Sequence, residues 1–418
     1  MARARKTLLW TSTTYFAEGL PWSFLHQMAM EFLTQIGASK TQISSTSLLH
    51  LSGTLKFAWS PIVDLFGSKR RWVWAMQIVL AGGMLAVAFV SQHSDSHNLR
   101  GFWAVLAGLA VLHATHDIAC DGFYLQALDK DERALFSGVR NAAFRIAMWV
   151  GKSALVVLAG LTTWFWGFGA AAVLMLVVAG INAAVMPHPP DRHPQDAAAG
   201  HAPLSKGVAF LRAYRSFFSQ PRAALVLSFM FAHRLGDIMM FAMATPMLKD
   251  IGMSTTSRGV LTSFSTVGFM VGTIAGGAII ARYGLARCLV PMTFIQNLAI
   301  PLYILLPVLK PGFAGVVPIV VAEQLASGIG TSANSVFLMQ RCRREFSAAH
   351  FAFATSIVSL ASTLSGYVSG PINEAFGHPL FFLIAFLASV PSLVLVWFVP
   401  KTPIEDAPAP AGAAGSSA

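Results

Sequence analysis

Apolar runs of about twenty residues recur from one end of this 418-residue chain to the other. Each is long enough to cross the ~30 Å hydrocarbon core of a bilayer as a helix. Twelve spans can be marked: 8–33, 42–65, 72–91, 101–127, 134–159, 161–187, 221–249, 257–281, 286–309, 313–340, 348–371 and 376–399. Only 11% of the residues are charged and 55% are hydrophobic. Soluble domains carry about 25% charged residues. Too little polar surface remains to cover such a chain in water, so lipid is the solvent.

The opening MARARK–TLLW has the start of a secretory signal, but the apolar segment is too long, carries Glu18 and Pro21, and lacks a small-residue cleavage site. It is expected to remain as the first span. The three cysteines, Cys120, Cys288 and Cys342, show no spacing for a disulfide framework or a metal finger, and no cofactor is expected.

In a soluble protein a formal charge of +11 would point to nucleic acid. Here the basic residues sort by loop instead. The N-terminus and every second loop collect Arg3, Arg5, Lys6, Lys69, Arg70, Arg71, Lys130, Arg133, Arg192, Lys206, Arg212, Arg215, Arg222, Arg282, Arg287, Arg341, Arg343, Arg344 and Lys401. The opposite loops hold Lys40, Arg100, Lys249, Arg258 and Lys310. Positive residues mark the cytoplasmic side, which predicts both termini there and an even number of spans.

The longest polar stretch, PHPPDRHPQDAAAGHAPLSKG (Pro187–Gly207), falls between spans 6 and 7 and reads as a flexible linker. LRAYRSFF (Leu211–Phe218) after it suits a short helix on the membrane surface, and the tail after Lys401 reads as disordered. The expected fold is an all-α membrane protein, with twelve transmembrane helices in two six-helix halves. The first half covers 1–187, a cytoplasmic linker 188–220, the second half 221–400 and the tail 401–418. This layout resembles the major facilitator superfamily, in which two halves enclose a site at the midplane. A weak repeat agrees with it: WSPIVDLFGSKRR (Trp59–Arg71) after span 2 and GGAIIARYGLAR (Gly276–Arg287) after span 8. The first copy resembles that superfamily's signature loop, with Asp64, Gly67, Arg70 and Arg71 as gate candidates. It has Ser60 where glycine is usual and Leu65 where a basic residue is usual. In the second copy Ala281 replaces the aspartate.

Span 4 carries HATHDIACDG (His113–Gly122). On a helix, His113, His116, Asp117, Cys120, Asp121 and Tyr124 cover an arc of about 140°. Such a stripe does not face lipid, where each charge costs about 2.5–3.5 kcal/mol on insertion scales. On span 5, Asn141, Arg145, Met148 and Lys152 share a face and offer cationic partners, while Asp121 and Arg140 lie nearer the cytoplasmic end. Three readings stay open for HATHD: a metal site, a structural ion pair, or a substrate or proton site.

In span 7, Arg234 and Asp237 are three apart and can pair within the helix, beside His233. In span 1, Gly19 and Pro21 weaken the helix beside Glu18. In span 10, Glu323, Ser327 and Asn334 share a face, on which Asn and Ser also serve as helix glue. His26 in span 1 has no assigned role, while Lys56 in span 2 suits snorkelling or, from its place beside WSPIVD, a link to the cytoplasmic gate.

FAEGLP, LKFAWSPIVD with KRRW, ATHDIACDGF, and ASGIGTSANSVFLMQRCRREFSAAHFAFATSIVSL with GYVSGP resemble the AmpG-like muropeptide permeases. These form part of a peptide and acetyl-coenzyme A transporter branch of the same superfamily. The similarity runs from about Tyr15 to Pro400. The branch's span-4 QD is His116–Asp117 here, its KLGD is Arg234–Asp237, and its FSATQFA is Phe346–Ala352, with Ala349 and His350 replacing Thr-Gln.

The resemblance implies import of a bulky polar or anionic solute across the bacterial inner membrane by proton symport, the relatives carrying anhydromuropeptides. Ferric-siderophore and acetyl-coenzyme A carriers are the neighbouring alternatives. A transport-like sensor and a membrane-embedded metal hydrolase using His113, His116, Asp117 and Asp121 are alternatives of another class. An enzyme is not expected, since no HExxH, GxSxG or P-loop pattern occurs. The expected partners are a small-molecule solute, protons and the bilayer, with no nucleic acid and a monomeric chain. Candidate solute-binding residues are Arg145, Lys152, Arg234, Tyr124, Glu323 and Asn334, with Trp22 as a further aromatic. Candidate proton-coupling residues are Asp117, His116, Glu18 and Asp237.

Overall fold

The computed structural model describes residues 2–65, 67–128, 130–188, 215–342 and 347–404. Most of the expected linker, the start of the expected surface helix, Phe346 and most of the tail lie outside the described residues. Every regular element among the described residues is helical. Nine of these helices are long and apolar enough to cross a membrane. The remaining expected spans have physical reasons for escaping that description.

Span 1 begins in the charged Ala2–Ser23 helix, loosens to a π-helical turn over Phe24–Met28 and resumes as Ala29–Gln35. Span 2 is a series of short pieces: Lys40–Ser44, a 3-10 turn over Ser45–Leu49, His50–Leu55, a second 3-10 turn over Lys56–Ala58, and Ser60–Leu65. Its start is fixed by a capping box in which Ser39 accepts from Gln42 N and the Gln42 side chain accepts from Ser39 N. Spans 11 and 12 run together as Ser347–Leu395, with the backbone turning at Gly377, φ 71°. That conformation suits a residue without a Cβ.

The other helices match the expected spans closely. They are Lys69–Ser91, Arg100–Ala127, Lys130–Trp149 continuing through a π-helical turn at Val150–Leu155 to Val156–Leu161, Trp164–Val185, Ala223–Asp250, Thr255–Tyr283, Leu285–Leu298 with Leu302–Leu309, and Phe313–Gln340. Span 3 is reached through Gly67, φ 72°, and capped by Ser68, whose hydroxyl accepts from Arg71 N.

The chain groups into two compact units. The first gathers Met1–Ala197, Thr245–Ser263 and Tyr367–Glu374. Trp10, Tyr15, Val63, Val73, Phe123, Tyr124 and Met186 form an apolar core there. Spans 1 and 5 meet at backbone distance: a Cβ on Gly19 would stand 2.5 Å from Phe144 O, and one on Gly151 2.5 Å from Ser23 Oγ. Polar contacts also bind distant sequence within this unit. Arg258 Nε lies 2.8 Å from Glu31 Oε2, and Thr245 Oγ1 donates to Glu31 Oε1 at 3.2 Å. Lys40 pairs with Asp250 at 2.5 Å, and Thr41 donates to Glu374 through N and Oγ1.

The second unit gathers Ala198–Ala244, Phe264–Gly366 and Ala375–Ala418. Phe217, Phe229, Leu289, Phe337 and Val396 lie in its core. Spans 8 and 10 touch through glycines: a Cβ on Gly272 would lie 2.1 Å from Leu325 O, and one on Gly328 2.3 Å from Phe269 O. Small residues let membrane helices approach this closely and pack by dispersion.

Candidate functional site

Inside the first unit, span 4 presents its acidic residues to spans 1, 2 and 5. Carboxylate oxygens of Glu18, Asp117 and Asp121 all lie within 4.8 Å of one another. Asp117 forms an ion pair with Lys56 Nζ. Asp121 pairs with Arg140 Nη2 at 2.8 Å and accepts from Tyr15 OH at 3.1 Å. The Arg140 guanidinium lies 4.4 Å from the centroid of the Tyr15 ring and 5.7 Å from that of Tyr124. Tyr15 and Tyr124 meet edge to face at 5.6 Å. Glu18 is 7% exposed, and its Oε2 has no hydrogen-bond partner. Three carboxylates thus share their surroundings with two cations, Lys56 and Arg140.

The partner of Asp117 comes from span 2. Span 5 supplies Arg140 to Asp121, whereas Arg145 is exposed and Lys152 sits half-buried in the π-helical turn. The two 3-10 turns and the short pieces between them bring Lys56 to its place. Trp59 Nε1, three residues on, donates to Thr115 Oγ1 at 3.1 Å and ties the same segment to span 4.

His116 belongs to a different environment. It is fully buried, its Nε2 accepts from Gln77 Nε2 at 3.2 Å, and Cys120 Sγ lies 3.3 Å from the same nitrogen. Asn182 Nδ2 donates to Gln77 Oε1 at 3.2 Å, and Thr13 Oγ1 donates to Asn182 Oδ1 at 2.5 Å. The polar stripe of span 4 therefore divides: one edge enters this neutral chain and the other joins the carboxylates. Metal-ligating types converge here as three carboxylates, without either histidine of HATHD.

The second unit holds a smaller charged group. Arg234 Nη1 pairs with Asp237 Oδ2 at 2.9 Å, as the i,i+3 spacing predicts, and Ser327 Oγ reaches Asp237 Oδ1 at 3.3 Å. Glu323, one turn before Ser327, is 1% exposed and accepts from Gln324 Nε2 at 2.8 Å. Asn334 Oδ1 is buried without a hydrogen-bond partner.

Of the gate candidates, Asp64 lies in Ser60–Leu65, its side chain outside what is described. Gly67 makes the turn, and Arg71 is exposed at the first turn of span 3. Arg70 reaches across to the end of span 6, donating to Ala183 O at 2.5 Å and Met186 O at 3.2 Å.

The family pattern of the Major Facilitator Superfamily matches residues 7–366, most of the chain. The chain belongs to the major facilitator superfamily. Like the rest of this superfamily it is a multi-pass membrane transporter. It is 27% identical over 388 residues to the anhydromuropeptide permease of Escherichia coli K12, covering 91% of this chain and 77% of that one. Among solved structures, a bacterial homolog of the human lysosomal transporter Spinster in an inward-facing, unoccupied conformation aligns with a TM-score of 0.72 at 14% identity. That match covers 97% of this chain and 98% of the other. A D-xylose-proton symporter also aligns with a TM-score of 0.72, at 11% identity, covering 96% and 99%. These structures share the superfamily fold.

Glu18, Asp117, Asp121 and Arg140 all stand out in the sequence, whereas Lys56, expected to snorkel or to serve the cytoplasmic gate, is the ion-pair partner of Asp117. Tyr15, not among the candidates, precedes Glu18 by three residues and so shares its helix face. That spacing was a readable signal for Tyr15; none led from Lys56 to Asp117, because span 2 departs from a regular helical period.

Proposed function

We propose that this transporter imports a bulky polar or anionic solute across the bacterial inner membrane by symport with protons, with both termini in the cytoplasm. The observation that carries this reading is the charge count around Glu18. Three carboxylates stand against two cations, and the Glu18 oxygen left without a partner is sealed from solvent. An unpaired buried charge is costly, and one proton on this group removes it. Loading that proton neutralises the site, and releasing it on the other side leaves the site charged, so ion and solute movement become linked. Asp117 is the group whose pairing with Lys56 competes with proton sharing toward Glu18. His116, locked to Gln77, serves to orient span 4. Asp237 is a second candidate for proton uptake, through competition with Arg234.

The solute class is read from the family resemblance and from the E. coli relative, an anhydromuropeptide permease. Arg145, Lys152 and Arg234 would bind carboxylates of such a solute through charge-assisted hydrogen bonds. Glu323 and Asn334 would accept from its hydroxyl and amide groups, and Tyr124 would line its sugar. Purified protein in liposomes, given an inward proton gradient, is expected to accumulate labelled anhydromuropeptide, and Asp117→Asn at normal membrane level is expected to abolish this. Accumulation of ferric siderophore or acetyl-coenzyme A in its place would overturn the solute assignment. Binding without accumulation would make the protein a sensor, and gradient-independent accumulation would remove the proton.

A further inference from the structure

One group of titratable side chains in the first unit has no part in the site above. His26 lies in the middle of the π-helical turn Phe24–Met28. Its ring stacks on that of His50 with centroids 3.7 Å apart and planes 3° from parallel. Trp22 flanks both, with centroids 5.0 Å from His26 and 6.0 Å from His50. His113 of span 4 is the third imidazole near enough to act electrostatically on His26. The Nδ1 atoms of His26 and His113 are both sealed and lack hydrogen-bond partners.

The placement is ordered. His113 stands one helical turn before Asp117, and Asp117 one turn before Asp121. On span 1, which runs the opposite way, His26 stands eight residues beyond Glu18, about 12 Å along a helix. The imidazoles and the carboxylates are therefore successive layers of one file. The charged groups on the elements around His26 are Lys152 in the π-helical turn of span 5, the Glu31–Arg258 pair toward one end, and Asp117 with Lys56 toward the other.

We infer that His26, His50 and His113 form a proton relay that feeds the Glu18–Asp117 site. Two imidazoles stacked at this separation hold at most one proton between them, because like charges so close repel strongly. Trp22 favours the protonated form, since a cation within about 6 Å of an indole face is attracted to its π electrons. The pair takes a proton from the side opposite the termini, His113 receives it at Nδ1, and it passes one turn down span 4 to the carboxylates. Each imidazole returns to its neutral form as the proton leaves. Stacked rings share no hydrogen bond, so transfer to His113 requires its Nδ1, sealed in this conformation, to open to a bridging water.

The inference rests on the proton-coupled reading, and the experiment separates the two. Protein in liposomes is assayed with labelled anhydromuropeptide in two modes: accumulation driven by an imposed pH gradient, and exchange against internal unlabelled solute with no gradient. For His26→Gln and for His113→Gln, accumulation is expected to fall by about tenfold while exchange stays within about twofold. The double variant His26→Gln/His50→Gln is expected to be no worse than His26→Gln alone, because residues acting as one unit do not add. Trp22→Phe is expected to shift the alkaline limit of accumulation downward. Variants that lose both modes equally, or retain full accumulation with an unchanged pH profile, would overturn the relay. Wild-type accumulation indifferent to the pH gradient would sink the proton-coupled reading itself.

Discussion

Glu31 and Arg258 form a 2.8 Å ion pair whose side chains are 8% and 2% exposed, joining the end of span 1 to the start of span 8. Arg258 also donates through Nη1 to Met253 O and through Nη2 to Thr255 Oγ1. Removing one member of a buried pair leaves the other charged and unpaired, at a cost of about 3–5 kcal/mol. Glu31→Ala should lower the thermal unfolding midpoint in detergent markedly. The double variant Glu31→Leu/Arg258→Met should recover much of the loss. A wild-type midpoint for the single variant would show that the pair contributes nothing.

Lys56 and Asp117 combine a structural and a coupling role, and substitution separates them. Lys56→Gln leaves Asp117 without its ion-pair partner and should reduce folded yield. Adding Asp117→Asn removes that charge and should restore yield, as size-exclusion profiles of solubilised protein would report. The restored double variant should still fail at proton-driven uptake.

Arg140 acts through its shape as well as its charge. It pairs with Asp121 and lies over the Tyr15 ring. Arg140→Lys keeps the charge and loses the flat stack, and should cost about 0.5–1 kcal/mol in detergent unfolding. Arg140→Leu should cost more, and Asp121→Asn added to it should recover part of the difference. Equal midpoints for Lys and Leu would assign the whole effect to size.

Glycine contacts predict where bulk fails. At Gly272 a methyl group would meet Leu325 O at 2.1 Å, while at Gly108 nothing lies within 4 Å. Gly272→Ala should destabilise by about 1–3 kcal/mol through overpacking. Gly108→Ala should be neutral, and a comparison of unfolding midpoints tests both.

The loop after span 3 carries a pH dependence with a definite sign. Asp95 Oδ1 accepts from His97 N at 2.8 Å and from Asn98 N at 2.9 Å. These amides hold its carboxyl below the usual carboxylate range. The folded loop therefore binds the proton more weakly than the unfolded chain does. Its contribution is present above about pH 4 and fades as pH falls through the depressed value. Protection of the His97 and Asn98 amides, relative to their intrinsic exchange rates, should fall in acid, and Asp95→Ala should leave both unprotected at every pH. Acid-independent protection would contradict the turn.

Local spacing carried much of this organisation in the sequence. The span limits follow from hydropathy, and the Arg234–Asp237 pair follows from a helix's own repeat. Asp121 and Arg140 were recognisable as neighbours because both lie near the same end of their spans. Lys56 was obscure because two 3-10 turns precede or contain it, so a 3.6-residue period misplaces its face. His26 was obscure for a related reason: a π-helical turn advances the chain by more residues per turn than a hydropathy pattern assumes. Arg258 read as a loop charge and Glu31 drew no reading, since nothing in a one-dimensional pattern says which ends meet.

The five-residue 3-10 turn Ser45–Leu49 also has a mechanical meaning. Such a turn rises about 2.0 Å and rotates about 120° per residue, against about 1.5 Å and 100° in an α-helix. Recoiling these residues into α geometry would shorten the segment by about 2.5 Å and twist everything beyond it by about 100°. Lys56, seven residues downstream of Leu49, would be swept round with that screw. A small change of pitch in uncharged serine and leucine would thereby become a change of electrical partner for an aspartate on another helix.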